Sequence, residues 1–186
     1  GSEMCIRDRG YAWLTFDQIN WYRQQSAAYK AQNGGQPLPA LAFFHIPLPE
    51  YNEAARTENA ILRGTRMEEA CAPKLNTGMF AAMKEAGDVM GMFVGHDHDN
   101  DYIGMLYNVG LAFGRVSGWD AYGDFERGGR IIELREGKFE FDSWIRTSSG
   151  KEYTYYYPSG LTSKDEETME FLPAKTVKPK KHGVAY

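Results

Sequence analysis

Apolar positions along the chain follow distinct rhythms, and each predicts a different element. Phe16, Ile19, Tyr22, Ala27 and Ala31 recur at roughly helical spacing, which predicts a helix over about residues 16 to 32. Thr15-Phe16-Asp17-Gln18 supplies its start as a capping box, with the Thr15 hydroxyl accepting the Gln18 amide and the Gln18 side chain reaching back. Asn33-Gly34-Gly35 followed by Pro37 supplies its stop. Ala40 to Ile46 is then continuously apolar and closed by Pro47 and Pro49, the pattern of a strand buried on both faces. His45 falls at its end.

Residues 50 to 76 mix charges without a clean period and predict a long surface excursion, with a short helix near Asn52 to Leu62. Asn76 is the predicted N-cap of a helix over Thr77 to Glu85, whose Met79, Phe80 and Met83 form an apolar face and which Gly87 ends. The apolar run Val89 to Val94 predicts a second strand, delivering the chain into Gly95-His96-Asp97-His98. Tyr102 to Tyr107, Gly110 to Val116, Gly129 to Arg135, Lys138 to Arg146 and Glu152 to Tyr157 read as a run of antiparallel strands, with Glu136-Gly137 as a hairpin turn. The fold class is therefore α/β, strand-rich after residue 88. Residues 1–10 are expected to be a cloning scar, Gly1-Ser2, and an artefactual leader that resembles translated adapter DNA, so that natural sequence begins near Gly10 or Tyr11. Residues 11–160 are expected to form one partial domain and 161–186 a poorly ordered tail.

Composition narrows the function classes. The 186 residues are 42% hydrophobic and 14% aromatic, enough for a real core. A formal net charge of -4 gives no overall pull toward nucleic acid or anionic lipid, and both are discounted as partners. No apolar run approaches a membrane span. Cys5 and Cys71 fit neither a zinc pair nor a disulfide framework. Localisation is not fixed by these residues, and an extracytoplasmic full-length protein is compatible with them.

Three of the four histidines, His45, His96 and His98, lie at strand ends, where α/β folds place their chemistry; His182 lies in the basic tail. If the backbone stays extended through His96 and His98, both rings project to one face and converge. Asp97, Asp99, Asn100 and Asp101 make the surroundings oxygen-rich, suited to supporting imidazole ligands of Zn, Fe or Mn. A lone His45 would more often be a structural residue, and the acidic turn does not match the EF-hand spacing.

The pairing of Phe43-Phe44-His45-Ile46-Pro47-Leu48-Pro49-Glu50-Tyr51 with Gly95-His96-Asp97-His98-Asp99-Asn100-Asp101 resembles the final two motifs of the calcineurin-like metallophosphoesterases, in wording closest to their purple acid phosphatase-like bacterial and fungal branch. The resemblance runs from about Tyr11 to Tyr157. It implies the C-terminal half of a four-layer α/β/β/α sandwich and a full-length protein that hydrolyses phosphate esters through a metal-bound hydroxide. His45 and His96 would hold one of two divalent or mixed-valence metal ions (Fe, Zn or Mn), and His98 the other. Asp97, Asp99 and Asn100 would orient ligand rings, with Tyr51, Tyr102 and Trp119 on the substrate side. No catalytic residue is assigned. The family's earlier motifs, which include a bridging aspartate and an asparagine ligand, do not occur here; Gly87-Asp88 lies too late in the order to serve. The chain by itself is thus expected to be inactive, to hold at most one metal, and to expose sheet edges that invite a homodimer. The alternative is a noncatalytic α/β binding or assembly module with at most a mononuclear metal site. A sugar- or peptide-binding domain built on Trp119, Tyr122, Trp144 and Tyr153 to Tyr157 is the weakest reading.

Overall fold

Thr15 starts its helix as the sequence predicts. In the computed structural model, which describes residues 11–56 and 62–160, α1 runs Phe16–Gln32. The Thr15 amide donates to Gln18 Oε1 at 2.8 Å, and the Gln18 amide faces the Thr15 hydroxyl at 3.5 Å. The expected apolar face is not what holds this helix. Ile19 is buried and Tyr22 packs partly on the core, but Phe16 is 70% exposed and Ala27 and Ala31 face outward. The helix leans on the body through polar links instead: Tyr22 to Asp88 and Arg23 to Glu85 at 3.0 Å.

The remaining elements are β1 (Ala40–Phe43), α2 (Glu50–Arg56), β2 (Leu62–Arg63), α3 (Met79–Ala86), β3 (Val89–Val94), β4 (Ile103–Leu106), β5 (Val109–Phe113), β6 (Gly128–Leu134), β7 (Phe141–Thr147) and β8 (Lys151–Tyr157). β1 is shorter than the apolar run predicts and only partly buried, because it lies at a sheet edge; Phe43 is 65% exposed. The α3 start also differs. Gly78 occupies the cap position, and Asn76, two residues earlier, accepts the Gly78 amide at 2.9 Å. The Glu136-Gly137 turn forms as expected, closed by the Lys138 amide on the Arg135 carbonyl at 3.0 Å. The expected leader and tail lie outside the described residues.

The later strands do not form one antiparallel run. A five-stranded sheet has the order β1-β3-β5-β4-β2, with β1, β3 and β5 parallel and β4 and β2 antiparallel to their neighbours. β6, β7 and β8 form a separate antiparallel sheet. One apolar cluster joins the helices to the first sheet through Tyr51, Phe80, Met83, Met92, Leu111 and Phe113. A second joins the two sheets through Met90, Phe93, Ile103, Ala112, Phe141, Tyr155 and Tyr157. The mixed sheet, its helices and the second sheet give the α/β architecture the sequence implies.

β3 serves both clusters by changing phase midway. Ala40 pairs with Val89 and Leu41 with Gly91, so Met90 is the extra residue of a bulge. Val89, Met92 and Val94 accordingly join the helix-side cluster, while Met90 and Phe93 join the other. Gly91 gives the Phe141 ring room between the sheets, since a Cβ there would sit 3.2 Å from the Phe93 ring and 3.3 Å from the Phe141 ring. Phe141 stacks on Tyr157 at 5.1 Å. Replacing it, Phe141→Ala, is expected to cost about 3–5 kcal/mol by emptying a fully buried site. Urea unfolding should show a lower midpoint at an unchanged slope.

Candidate metal centre

Parallel pairing brings His45 and His96 together. β1 and β3 are parallel neighbours, so both leave the sheet on the same side, and the Gly95 amide donates to the His45 carbonyl at 3.1 Å, one step past the last strand pair. The His45 and His96 rings lie 5.2 Å apart, edge to face, and Tyr11 meets His96 at 4.6 Å. His45 is exposed and His96 is buried. Gly95 is not needed for this approach, since a Cβ there would only touch the His45 ring at 3.5 Å, an ordinary contact.

The expectation that His96 and His98 share one face through extended backbone fails. The strand ends at Val94, and the Asp97 amide donates to the Gly95 carbonyl at 2.9 Å across His96, whose φ is +74°. A three-residue turn of that hand is the strained one, uncommon for a residue with a Cβ. His98 instead stacks on Tyr122, with ring centroids 4.3 Å apart and planes 25° apart.

A second loop holds this turn. Residues 65 to 71, read from the sequence as surface, are largely buried against it, with Arg66 at 1% and Glu68 at 5% exposure. Thr65 donates its amide to Asp101 Oδ1 at 2.6 Å and accepts the Asp101 amide at 3.0 Å. The Asn100 side-chain oxygen accepts the amides of Met67 and Glu68 at 3.1 and 3.2 Å. Asp97 accepts the Cys71 amide at 2.9 Å, and Glu68 accepts the Asp99 amide at 3.0 Å. The Asp97 and Asp101 carboxylates thus each accept a backbone amide of this loop, while Asp99 offers its own amide to Glu68.

Asp101 anchors the far end. Its side chain is fully buried and ion-paired with Arg115, while Arg130 donates to its carbonyl. Burial pushes the Asp101 carboxyl up from its ordinary value, opposed by the Thr65 amide and by Arg115 and Arg130. Burial also lowers Arg130 to about 10, so it stays charged at neutral pH. The Tyr122 phenol is pushed up, first by burial and against the His98 amide, with Glu68 adding to the rise.

The remaining sequence candidates fall in two places. Asp97, Asp99 and Asn100 lie in the buried turn, beside the histidines. Tyr51 and Tyr102 do not line an open substrate side: both are fully buried, the Tyr51 hydroxyl donating to the Met92 carbonyl at 2.8 Å and the Tyr102 hydroxyl lying 3.4 Å from the Tyr51 carbonyl. They sit in the core because Tyr51 lies on α2, which packs against the first sheet, and Tyr102 directly precedes β4, a strand of that sheet. Burial raises both phenols. Trp119 is 88% exposed. Sequence reading missed Glu68 and Arg66, whose only signal was a charged pair in an aperiodic stretch. It placed Tyr122 in a β-rich binding reading and not beside His98.

Three donors do not converge on one point. Among the described residues no group of three or more His, Cys, Asp or Glu side chains is placed to hold a metal ion. His45 and His96 offer a pair of imidazoles 5.2 Å apart, short of the four ligands usual for zinc. The described residues therefore fit an open part of a centre and do not close one.

No protein-family model matches the chain. Among curated proteins it is 35% identical over 168 residues to probable inactive purple acid phosphatase 29 of Arabidopsis thaliana, covering 86% of this chain and 43% of that protein. Probable inactive purple acid phosphatase 14 of the same plant is 32% identical, over 72% of this chain and 35% of its own length. Phosphatase DCR2 of Saccharomyces cerevisiae is 30% identical, over 86% of this chain and 29% of its own length. The chain thus spans less than half the length of these relatives.

Asp101→Ala would leave Arg115 buried with Glu152, 3.9 Å away, as its remaining acid. The expected cost is about 3 kcal/mol, as for a broken buried ion pair, read as a lowered urea midpoint.

Proposed function

Purple acid phosphatase-like proteins are relatives of this chain over 72–90% of its length, and on that premise we propose that it is the C-terminal portion of a metal-dependent phosphoesterase. In the full-length protein His45 and His96 would hold one metal ion and His98 a second, Fe, Zn or Mn, acting on a phosphate-ester substrate. The observation that supports this most is the pair of histidine-bearing strand exits side by side on parallel neighbours, rings 5.2 Å apart. Such metals, when bound, supply Lewis acidity toward phosphoryl oxygens and an activated water. The chain's own part is positioning: the strained turn at His96 and the loop packed behind it hold imidazoles at the exits of β1 and β3.

By itself the chain is proposed to be inactive, because on this assignment two imidazoles would serve one ion and one the other, and among the described residues no group of three or more His, Cys, Asp or Glu side chains is placed to hold a metal ion. Three relatives carry "probable inactive" in their names. With added Mn or Zn, hydrolysis of a generic aryl phosphate is expected to stay at background. Turnover that His96→Ala abolishes would overturn the inactivity. Calorimetric titration with Zn is expected to show weak binding that His45→Ala or His96→Ala lowers by roughly tenfold or more. The open donor set also favours a second reading, a noncatalytic module; full folding with no metal uptake at all would decide for it.

We also propose that the chain self-associates through its sheet edges. Between β1 and β6, Leu38, Leu41, Phe43, Ile131, Ile132 and Leu134 line an apolar groove, and both strands are unpaired on that side among the described residues. Open apolar edges template strand pairing. Light scattering after size exclusion is expected to give a dimer mass; a monomer across the micromolar range would refute this.

A further inference from the structure

Two groups near the turn, the buried Glu68 and the half-buried Tyr122, have no part in the proposed ligand set. Glu68 comes from the loop between β2 and α3 and is 5% exposed. Its Oε1 accepts two donors, the Asp99 amide at 3.0 Å and the Tyr122 hydroxyl at 2.9 Å. The Tyr122 oxygen in turn accepts the His98 amide at 3.1 Å, while its ring lies flat against the His98 imidazole at 4.3 Å. One tyrosine thus backs His98 twice, at its ring and at its own amide, and one carboxylate fixes that tyrosine and the next amide along.

The loop carrying Tyr122 is built to stay there. Arg127 reaches back to the carbonyls of Ala121, Gly123 and Phe125 at 2.6, 3.0 and 3.1 Å, closing the loop on itself. Gly123 has φ +102°, and a Cβ there would come within 2.7 Å of Asp99 Oδ1. Only glycine lets this loop descend onto the histidine turn.

We propose that Glu68 and Tyr122 are positioning residues for His98: the carboxylate and the phenol together set where the imidazole stands, before any ligand arrives. This deepens the reading of His98 as a metal ligand and rests on it for its purpose. Its test, however, reads ring position without metal, so either idea can fail while the other stands.

The experiment is NMR of the whole chain and its variants in metal-free buffer. In the unaltered protein the His98 ring protons are expected to be shifted upfield by Tyr122. Tyr122→Phe, which removes the hydroxyl that engages both Glu68 and the His98 amide, should weaken that shift and speed exchange of the His98 amide about tenfold, the effect of one lost hydrogen bond. Glu68→Ala should speed exchange at both His98 and Asp99 by about the same factor and weaken the ring shift. Glu68→Gln, which keeps an acceptor oxygen, should restore all three. The Phe113 amide, bonded to Tyr102 in the core, should stay protected throughout. Unchanged His98 signals in Glu68→Ala would overturn the proposal. So would failure of Glu68→Gln to restore them, or an equal loss of protection at Phe113.

Discussion

A polar turn buried in protein must find a partner for each backbone group, and that requirement organises this molecule. Residues 95 to 101 carry three acids, an asparagine and two histidines into the interior, where an unmet donor or acceptor costs about 1–3 kcal/mol. Residues 65 to 71 meet the requirement with their amides, at Asp97, Asn100 and Asp101. Their own polar side chains are in turn met by the turn's amides, as at Glu68. Arg115 and Arg130 complete the balance from the strand side. The histidines stand where they do because this exchange leaves the turn few other conformations.

What was legible in the sequence is what depends on near neighbours. The Thr15 capping box, the Gly87 helix end, the β3 run and the Glu136-Gly137 turn all formed, since each is decided within a few residues. The adjacency of His45 and His96 was reached through a family resemblance, and the parallel pairing of β1 with β3 gives its physical cause. Elements that depend on remote partners were not legible. Arg66 and Glu68 looked like surface because a charge signals burial only once its partner is known. The positive φ at His96 was invisible for a related reason: the turn is held by bonds from residues 26 to 36 positions away, not by a glycine or asparagine at the site. The phase change in β3 likewise shows only in its pairing with β1.

The balance between helices and strands carries a parallel lesson. α1 has aromatic residues at helical spacing, yet Phe16, Trp21 and Tyr29 face outward, while β1 and β6 turn apolar side chains toward a groove. Period predicts which residues lie on one face of an element, but the neighbour decides whether that face is covered.

The bulge at Met90 has a consequence for how this sequence can change. Before it, β3 is in one phase with β1; after it, in the other, and the strand exit inherits the later phase. An insertion or deletion ahead of Gly91 could be absorbed by enlarging or erasing the bulge, leaving Phe93 inward and His96 beside His45. The same change after Gly91 has no such slack and would present the loop with the wrong face. The irregularity therefore acts as a tolerance joint, dividing the strand into a length-variable entry and a length-fixed exit.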